Sequence, residues 1–395
     1  MAVAKHEVSN ERSYPEIRAA VRALCAQFTD MYWRDLDRER AYPEAFVGAL
    51  TEAGYLAALI PETYGGSGLP LAAAAAILEE VHVAGGNAAA CHAQMYIMGT
   101  ILRHGDEAQK NRWLPEIAAG CLRLQAFAVS EPDSGTDTLS LTTSARRDGD
   151  AYVVSGQKVW TSRAEHSDLM LLLARTTPKD QVREKGDGLS VFLVDLRQAT
   201  AGANPPVRIR PIRTMLNHAT TEIFIDDLRV PAENLIGAEG KGFRCVLDGM
   251  NAERMLIAAE CIGDARWFIG KARDYACARR VFDRPIGRNQ GVQFPIARAF
   301  AQAEAADLMV QRAAALFDSG RPCGPEANMA KLLASEASWA AADMCLQTHG
   351  GYGFAEEYDI ERKFRETRLY QIAPISTNLI LAYIAEHVLG LPRSY

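Results

Sequence analysis

Four segments carry residue types that could hold a flat, charged ligand. The first is Gln125-Ala126-Phe127-Ala128-Val129-Ser130-Glu131-Pro132-Asp133-Ser134-Gly135-Thr136-Asp137, which leaves a strand and enters a tight loop. It reads either as a Pro/Gly turn or as a ring of backbone amides and hydroxyls facing a planar group. The second, Lys158-Val159-Trp160-Thr161-Ser162, ends another strand. Its tryptophan is either hairpin packing or a stacking surface, with the next hydroxyls donating to the ligand's edge. The third runs from Cys277-Ala278-Arg279-Arg280 through Phe282 to Gln290. A basic cluster at a helix end can simply complement the helix dipole, but arginine is also the natural planar partner of a pyrophosphate. The fourth, Gln347-Thr348-His349-Gly350-Gly351-Tyr352-Gly353-Phe354, imitates a dinucleotide fingerprint. Its glycines follow a helix rather than a strand, so that reading fails its context. Gly350 fits a helix C-cap, and His349 reads as structural.

The elements that must position these segments fall into three blocks. Apolar spacing predicts helices over 17–32, 43–53, 71–83, 88–104 and 107–118, the second with Pro43 in its first turn. Short aliphatic and β-branched runs predict strands over 124–130, 151–158, 169–174, 189–194, 207–211 and 220–225. Asp148-Gly149-Asp150 is a hairpin signal. Helix returns with Asn251 as the cap of a long helix to Ala276, then over 294–317, 326–348 and 380–389. The fold class expected is mainly α with a central β domain. An N-terminal helical domain covers 1–120, a middle β-barrel- or sandwich-like domain 121–237, and a C-terminal four-helix bundle 238–395.

Bulk properties narrow the function. A net charge of −6 does not favour nucleic-acid binding. The eight cysteines form no C-x-x-C pair, which disfavours a zinc site or redox dithiol, and no metal is expected. Their usage fits a reducing compartment. The N-terminus MAVAKHEVSNERSYPE has no apolar core of a signal peptide. No run of about 18 apolar residues marks a membrane span. A cytoplasmic location is expected.

In this order and spacing the segments resemble the acyl-CoA dehydrogenases, over almost the whole chain. The resemblance implies FAD. Phe127, Val129 and Ser130 then lie along the isoalloxazine, Trp160 and Thr161 against it, and Ser162 near its hydride-accepting nitrogen. Thr136 falls on the thioester side. Arg279, Phe282 and Gln290 match the family's R-x-x-F-x-x-P-I-x-x-x-Q, which reaches across a dimer interface to the neighbour's FAD. Gln347, Gly350 and Gly351 match the stretch closing over its adenosine diphosphate part, and Ser376, Thr377 and Asn378 align with a Thr-Ser-Gln near the flavin. A homotetramer built as a dimer of dimers, an acyl-CoA substrate and an electron-transfer flavoprotein as electron acceptor follow from the same resemblance. The helix holding Gln94, Met95 and Met98 resembles the one lining the acyl pocket, although methionines there are more often core packing.

One departure concerns the base that removes the α-proton. Many members carry it as the glutamate of Tyr-Glu-Gly-Thr, where this chain has Ala373-Pro374-Ile375. Isovaleryl- and long-chain-type members instead place it in a Glu-Arg pair at the start of a long helix, matched here by Glu253-Arg254. An acidic residue in a first turn also has a plain reading, because the helix dipole favours it. That dipole would lower its pKa while burial would raise it. Pro374 has no N–H. If it occupies the family's carbonyl-holding position, a donor worth ~3–4 kcal/mol is missing, and Ile375 or a flavin ribityl hydroxyl replaces it, or the chemistry has moved. The leading expectation is α,β-dehydrogenation of an acyl-CoA with Glu253 as base and Arg254, Thr136, Pro374 and Ile375 toward the substrate. The alternatives are a family member with redirected chemistry (oxidase, monooxygenase or lyase) and a non-catalytic partner subunit.

Overall fold

The computed structural model describes residues 12–393. Most of the N-terminal stretch read above for a leader lies outside the described residues. Among the described residues no helix is long and apolar enough to cross a membrane.

Six helices come first: α1 (Pro15–Cys25), α2 (Asp30–Glu39), α3 (Glu44–Glu52), α4 (Leu71–Val83), α5 (Ala89–His104) and α6 (Glu107–Ala118). The single helix expected over 17–32 is two. The chain turns at Gln27–Thr29 because Phe28 folds back onto Tyr32 and Phe46, with ring centroids 5.0 and 5.2 Å away. Packing by a residue of α3 thus overrides a continuous local pattern. Pro43 sits in the cap position of α3 rather than in its first turn. α4 and α5 are buried nearly all round, and their buried Glu79, Glu80, His82 and His92 are paired with side chains of other elements. α6 starts with a capping box between Asp106 and Gln109.

The middle of the chain is one twisted sheet. Its strands are β1 (Leu124–Ala128), β2 (Ser144–Asp148), β3 (Ala151–Ser162), β4 (Leu169–Arg175), β5 (Leu189–Asp195), β6 (Val207–Pro211), β7 (Thr220–Pro231) and β8 (Leu235–Ile236). The order is β6-β7-β3-β2-β4-β5-β8, with β1 parallel beside β4. β2 was not expected: only Ala145 of its five residues is buried, so it shows no alternation. β3 and β7 outrun their expected ends and pair along their length. The pairing shifts between Lys158 and Thr161, a bulge that re-aims the strand's last side chains.

A four-residue helix, α7 (Leu196–Ala199), lies between β5 and β6, and after β8 helix dominates again: α8 (Gly242–Ala278), α9 (Gln290–Asp318), α10 (Gly324–His349), α11 (Ile360–Arg368) and α12 (Thr377–Tyr383). A two-strand ribbon, β9 (Arg280–Val281) with β10 (Arg284–Pro285), joins α8 to α9. α8, α9 and α10 pack side by side, α11 lies against α10, and α4 and α5 press on α8. Asn251 does not cap α8, which begins nine residues earlier at Gly242. A Cβ at Gly242 would stand 2.6 Å from the Ser190–Val191 backbone, so the start of α8 is set by close approach to β5. Gly350 ends α10 with φ 59°, a positive φ that glycine adopts without the Cβ penalty.

Candidate active site

The bulged end of β3, the end of β1, the N-terminal half of α8 and the segment after α11 meet around one cavity of about 250 Å³. β1 and its extension supply Phe127, Val129 and Ser130, and β3 supplies Trp160 and Ser162. α8 supplies Glu253 and Ile257, α5 supplies His92 and Tyr96, and the last segment supplies Tyr370, Ala373 and Pro374.

A buried ion pair clamps the two strand ends together. Lys158 Nζ donates to Glu131 Oε1 at 2.9 Å and to the Val129 carbonyl at 3.0 Å. Glu131 also accepts from the Thr142 and Thr143 backbone N–H groups at 2.6 and 2.9 Å. Burial pushes the Glu131 carboxyl up, but Lys158 and these donors outweigh it and hold it at about 2. Both residues stood inside the sequence segments above without a role. Two positions past Lys158, Trp160 takes φ 61° and is 61 % exposed. A large residue held in the left-handed region, with its indole toward solvent at a cavity rim, is strain of the kind found at ligand sites.

Glu253 faces this cavity from the interior of α8, about three turns from its start, so the first-turn dipole argument does not apply. It is 5 % exposed. Burial raises its carboxyl to about 7, opposed by the Tyr96 hydroxyl and by Arg254, Arg163 and Lys331. Desolvation therefore wins, leaving a carboxylate poised to take a proton near neutrality.

A fully buried polar network fixes the helices around it. His92 Nδ1 lies 2.8 Å from Glu260 Oε1, and the Tyr370 hydroxyl donates to Glu260 Oε2 at 2.9 Å. One turn on, Asp264 Oδ1 meets His82 Nδ1 at 2.8 Å and Lys363 Nζ at 2.5 Å. These contacts tie α4, α5, α8 and α11 together in the register that sets Tyr96 opposite Glu253. None was visible in the sequence, because each joins residues far apart in the chain.

Thr161 is buried with its hydroxyl unpaired. Arg254 is buried beside Glu253, outside the cavity lining, and donates to Asn251 Oδ1 at 2.9 Å. Thr136 is exposed on its loop, while Gly135 and Thr138 line the cavity. The Ile375 carbonyl accepts from Lys331 Nζ at 2.8 Å. Ser376 caps α12, accepting from the Leu379 N–H at 3.3 Å, Thr377 donates to the Gln371 carbonyl at 3.2 Å, and Asn378 is exposed. Gln94, Met95 and Met98 are buried outside the lining, which α5 supplies through His92 and Tyr96.

Arg279, Phe282, Gln290, Gln347, Gly350 and Gly351 form a second, exposed group away from this cavity. The ends of α8 and α10 bring them together: His349 stacks on Tyr275 at 4.2 Å, and the Arg279 guanidinium lies 5.8 Å from the Tyr352 ring centroid. Phe282, in the tight turn between β9 and β10, is 92 % exposed. The cavity fits the ring of FAD, with a bare indole face at its rim and the Ser130 and Ser162 hydroxyls at its edge. The exposed arginine and glycines, outside the cavity lining, fit its diphosphate chemistry.

The N-terminal, middle and C-terminal acyl-CoA dehydrogenase domains match residues 12–121, 126–228 and 240–389. The acyl-CoA dehydrogenase FadE12 of Mycobacterium tuberculosis (strain ATCC 25618 / H37Rv) is 35 % identical over 96 % of both chains. A glutaryl-coenzyme A dehydrogenase solved with glutaryl-CoA has a TM-score of 0.88 at 30 % identity, covering 98 % of this chain and 97 % of the other. Butyryl-CoA dehydrogenase from Megasphaera elsdenii has a TM-score of 0.87 at 26 % identity, over 95 % of this chain and 98 % of the other. This chain belongs to the acyl-CoA dehydrogenase family of FAD-dependent oxidoreductases.

Proposed function

We propose that this chain oxidises an acyl-CoA thioester to its 2,3-enoyl thioester, with Glu253 as the α-proton base. The observation that carries this is the Glu253 carboxyl, buried at the cavity wall and raised to about 7. FAD, when bound, would supply the acceptor for the β-hydride. Phe127, Val129, Trp160 and Ser162 would hold its ring, and the clamp of Glu131 on Lys158 keeps their two strands in place. Tyr96 orients Glu253 and stabilises its ionised form. Ile257 and Met250 cover the same wall and limit water around the carboxylate. The reading is tested by anaerobic titration of the flavin-loaded protein with acyl-CoA thioesters. Bleaching of the flavin absorbance is expected, and Glu253→Gln should abolish it.

Exposed Phe282, Phe294, Phe300, Leu308 and Phe354 on the C-terminal helices and their connections support a homo-oligomer, a dimer of dimers by family resemblance. Electrons then pass to an electron-transfer flavoprotein. The eight free cysteines support a cytoplasmic location.

A second reading rests on Pro374. It lines the cavity without an N–H to offer a thioester carbonyl. Redirected flavin chemistry is its consequence, and oxygen consumption without a separate electron acceptor would distinguish it.

A further inference from the structure

Arg163 follows Ser162 directly and lines the cavity that holds Glu253. It is 5 % exposed, and no carboxylate lies within ion-pair distance of it among the described residues. Its Nη1 stands 3.4 Å from His218 Nε2, and its Nε–H has no partner. With Nε2 turned to the guanidinium, His218 carries its proton on Nδ1, and that buried atom is also unpaired. Burial and Arg163 together hold His218 well below its ordinary pKa, so the ring is neutral. Nearby polar groups are occupied elsewhere: the Tyr42 hydroxyl donates to Gln125 Oε1 at 2.8 Å, and His92 is engaged by Glu260.

Two costs therefore meet at this residue. A buried guanidinium lacks its anion, and the backbone is held at φ 61°, where an arginine is strained. Neither stabilises the fold, and both fall on a wall of the reaction cavity. The missing partner arrives with a ligand. It must offer at least two acceptor atoms and negative charge in a water-poor place, which is the chemistry of a carboxylate. Glu253 does not fill this role. A tightly paired carboxylate would be held low, whereas Glu253 is raised, and Arg163 is only a lesser influence on it. Other lining residues, Phe243, Val246 and Met250 on α8, are apolar, so Arg163 and His218 add polar donors to a partly apolar wall.

We propose that Arg163 and His218 form a carboxylate-recognition subsite, and that the preferred substrate is a short acyl thioester ending in a carboxylate. This rests on the acyl-CoA reading above and narrows its substrate class. Arg163 acts in specificity, with Glu253 still removing the proton.

The test compares succinyl-, glutaryl- and adipyl-CoA with butanoyl-, pentanoyl- and hexanoyl-CoA on the flavin-loaded protein, reading kcat/KM from anaerobic bleaching. At least one carboxyl thioester should exceed its methyl-ended partner by about 100-fold or more, since a site built for polar contacts rejects an analogue lacking them. Arg163→Gln should bring that ratio to one or below, and Arg163→Lys should restore part of it. Wild-type ratios at or below one in all three pairs would overturn the proposal. So would an Arg163→Gln variant that slows both partners equally while shifting the flavin spectrum, which assigns the guanidinium to the cofactor. If no thioester bleaches the flavin, calorimetric binding separates the two claims. Arg163-dependent binding of a carboxyl thioester keeps the subsite and removes the dehydrogenase reading, and absence of such binding removes the subsite.

Discussion

Lys158 Nζ and Glu131 Oε1 lie 2.9 Å apart with both side chains buried, and this one ion pair joins the end of β1 to the bulged end of β3. The cavity-lining side chains of Phe127, Val129, Trp160 and Ser162 belong to those two ends, so the pair sets the shape of the cavity wall. Glu131→Gln leaves a buried ammonium with a poorer partner. A loss of about 3 kcal/mol or more is expected, measured as a drop in denaturation midpoint. The sign with pH follows from the depressed carboxyl. Its contribution is present above the ordinary value of 4.5 and is lost as pH falls toward about 2. Wild type should therefore lose stability over that window faster than Glu131→Gln does.

Trp160 gives the opposite expectation. Its side chain is 61 % exposed and its φ is 61°, so little burial and some strain are lost together in Trp160→Gly. Stability should change by no more than about 1 kcal/mol. Flavin retention should fall, seen as a lower cofactor-to-protein absorbance ratio after gel filtration. Unchanged retention would remove Trp160 from the cofactor wall.

Phe282 is 92 % exposed, so Phe282→Ala removes almost no contact within one chain. If the exposed motif serves an assembly, the substitution lowers the mass measured by light scattering and weakens flavin retention at low protein concentration. An unaltered assembly would show that the loop does not bridge subunits.

Glu253 links stability to chemistry. Its carboxyl is raised in the folded chain, so the fold favours the protonated form, and stability falls as pH rises from 4.5 through about 7. Glu253→Gln should be more stable than wild type at neutral pH by about 1–3 kcal/mol while losing turnover. A variant no more stable than wild type would mean that burial does not raise this carboxyl.

The sequence made the helix–sheet–helix order legible because α4, α5 and the core strands are apolar in runs that local spacing can register. It hid β2, with only Ala145 buried, and the turn at Phe28, which depends on Phe46 in another helix. The start of α8 at Gly242 is decided by backbone contact with β5, which no local pattern records. In the site, the strand-end hydroxyls, Trp160 and Glu253 stood out through their local motifs. His92 with Glu260, Tyr96 with Glu253, and Arg163 with His218 are matters of tertiary approach between separate elements, and single residues of these kinds carry no signal in a sequence.

The central claim is that Glu253 is the base, and the pH dependence of anaerobic flavin bleaching by an acyl-CoA tests it most directly. kcat/KM should rise with pH through about 7 as the Glu253 carboxyl ionises, and Glu253→Gln should lower it by about 100- to 10,000-fold with the flavin still bound. Bleaching by Glu253→Gln at the wild-type rate would contradict it.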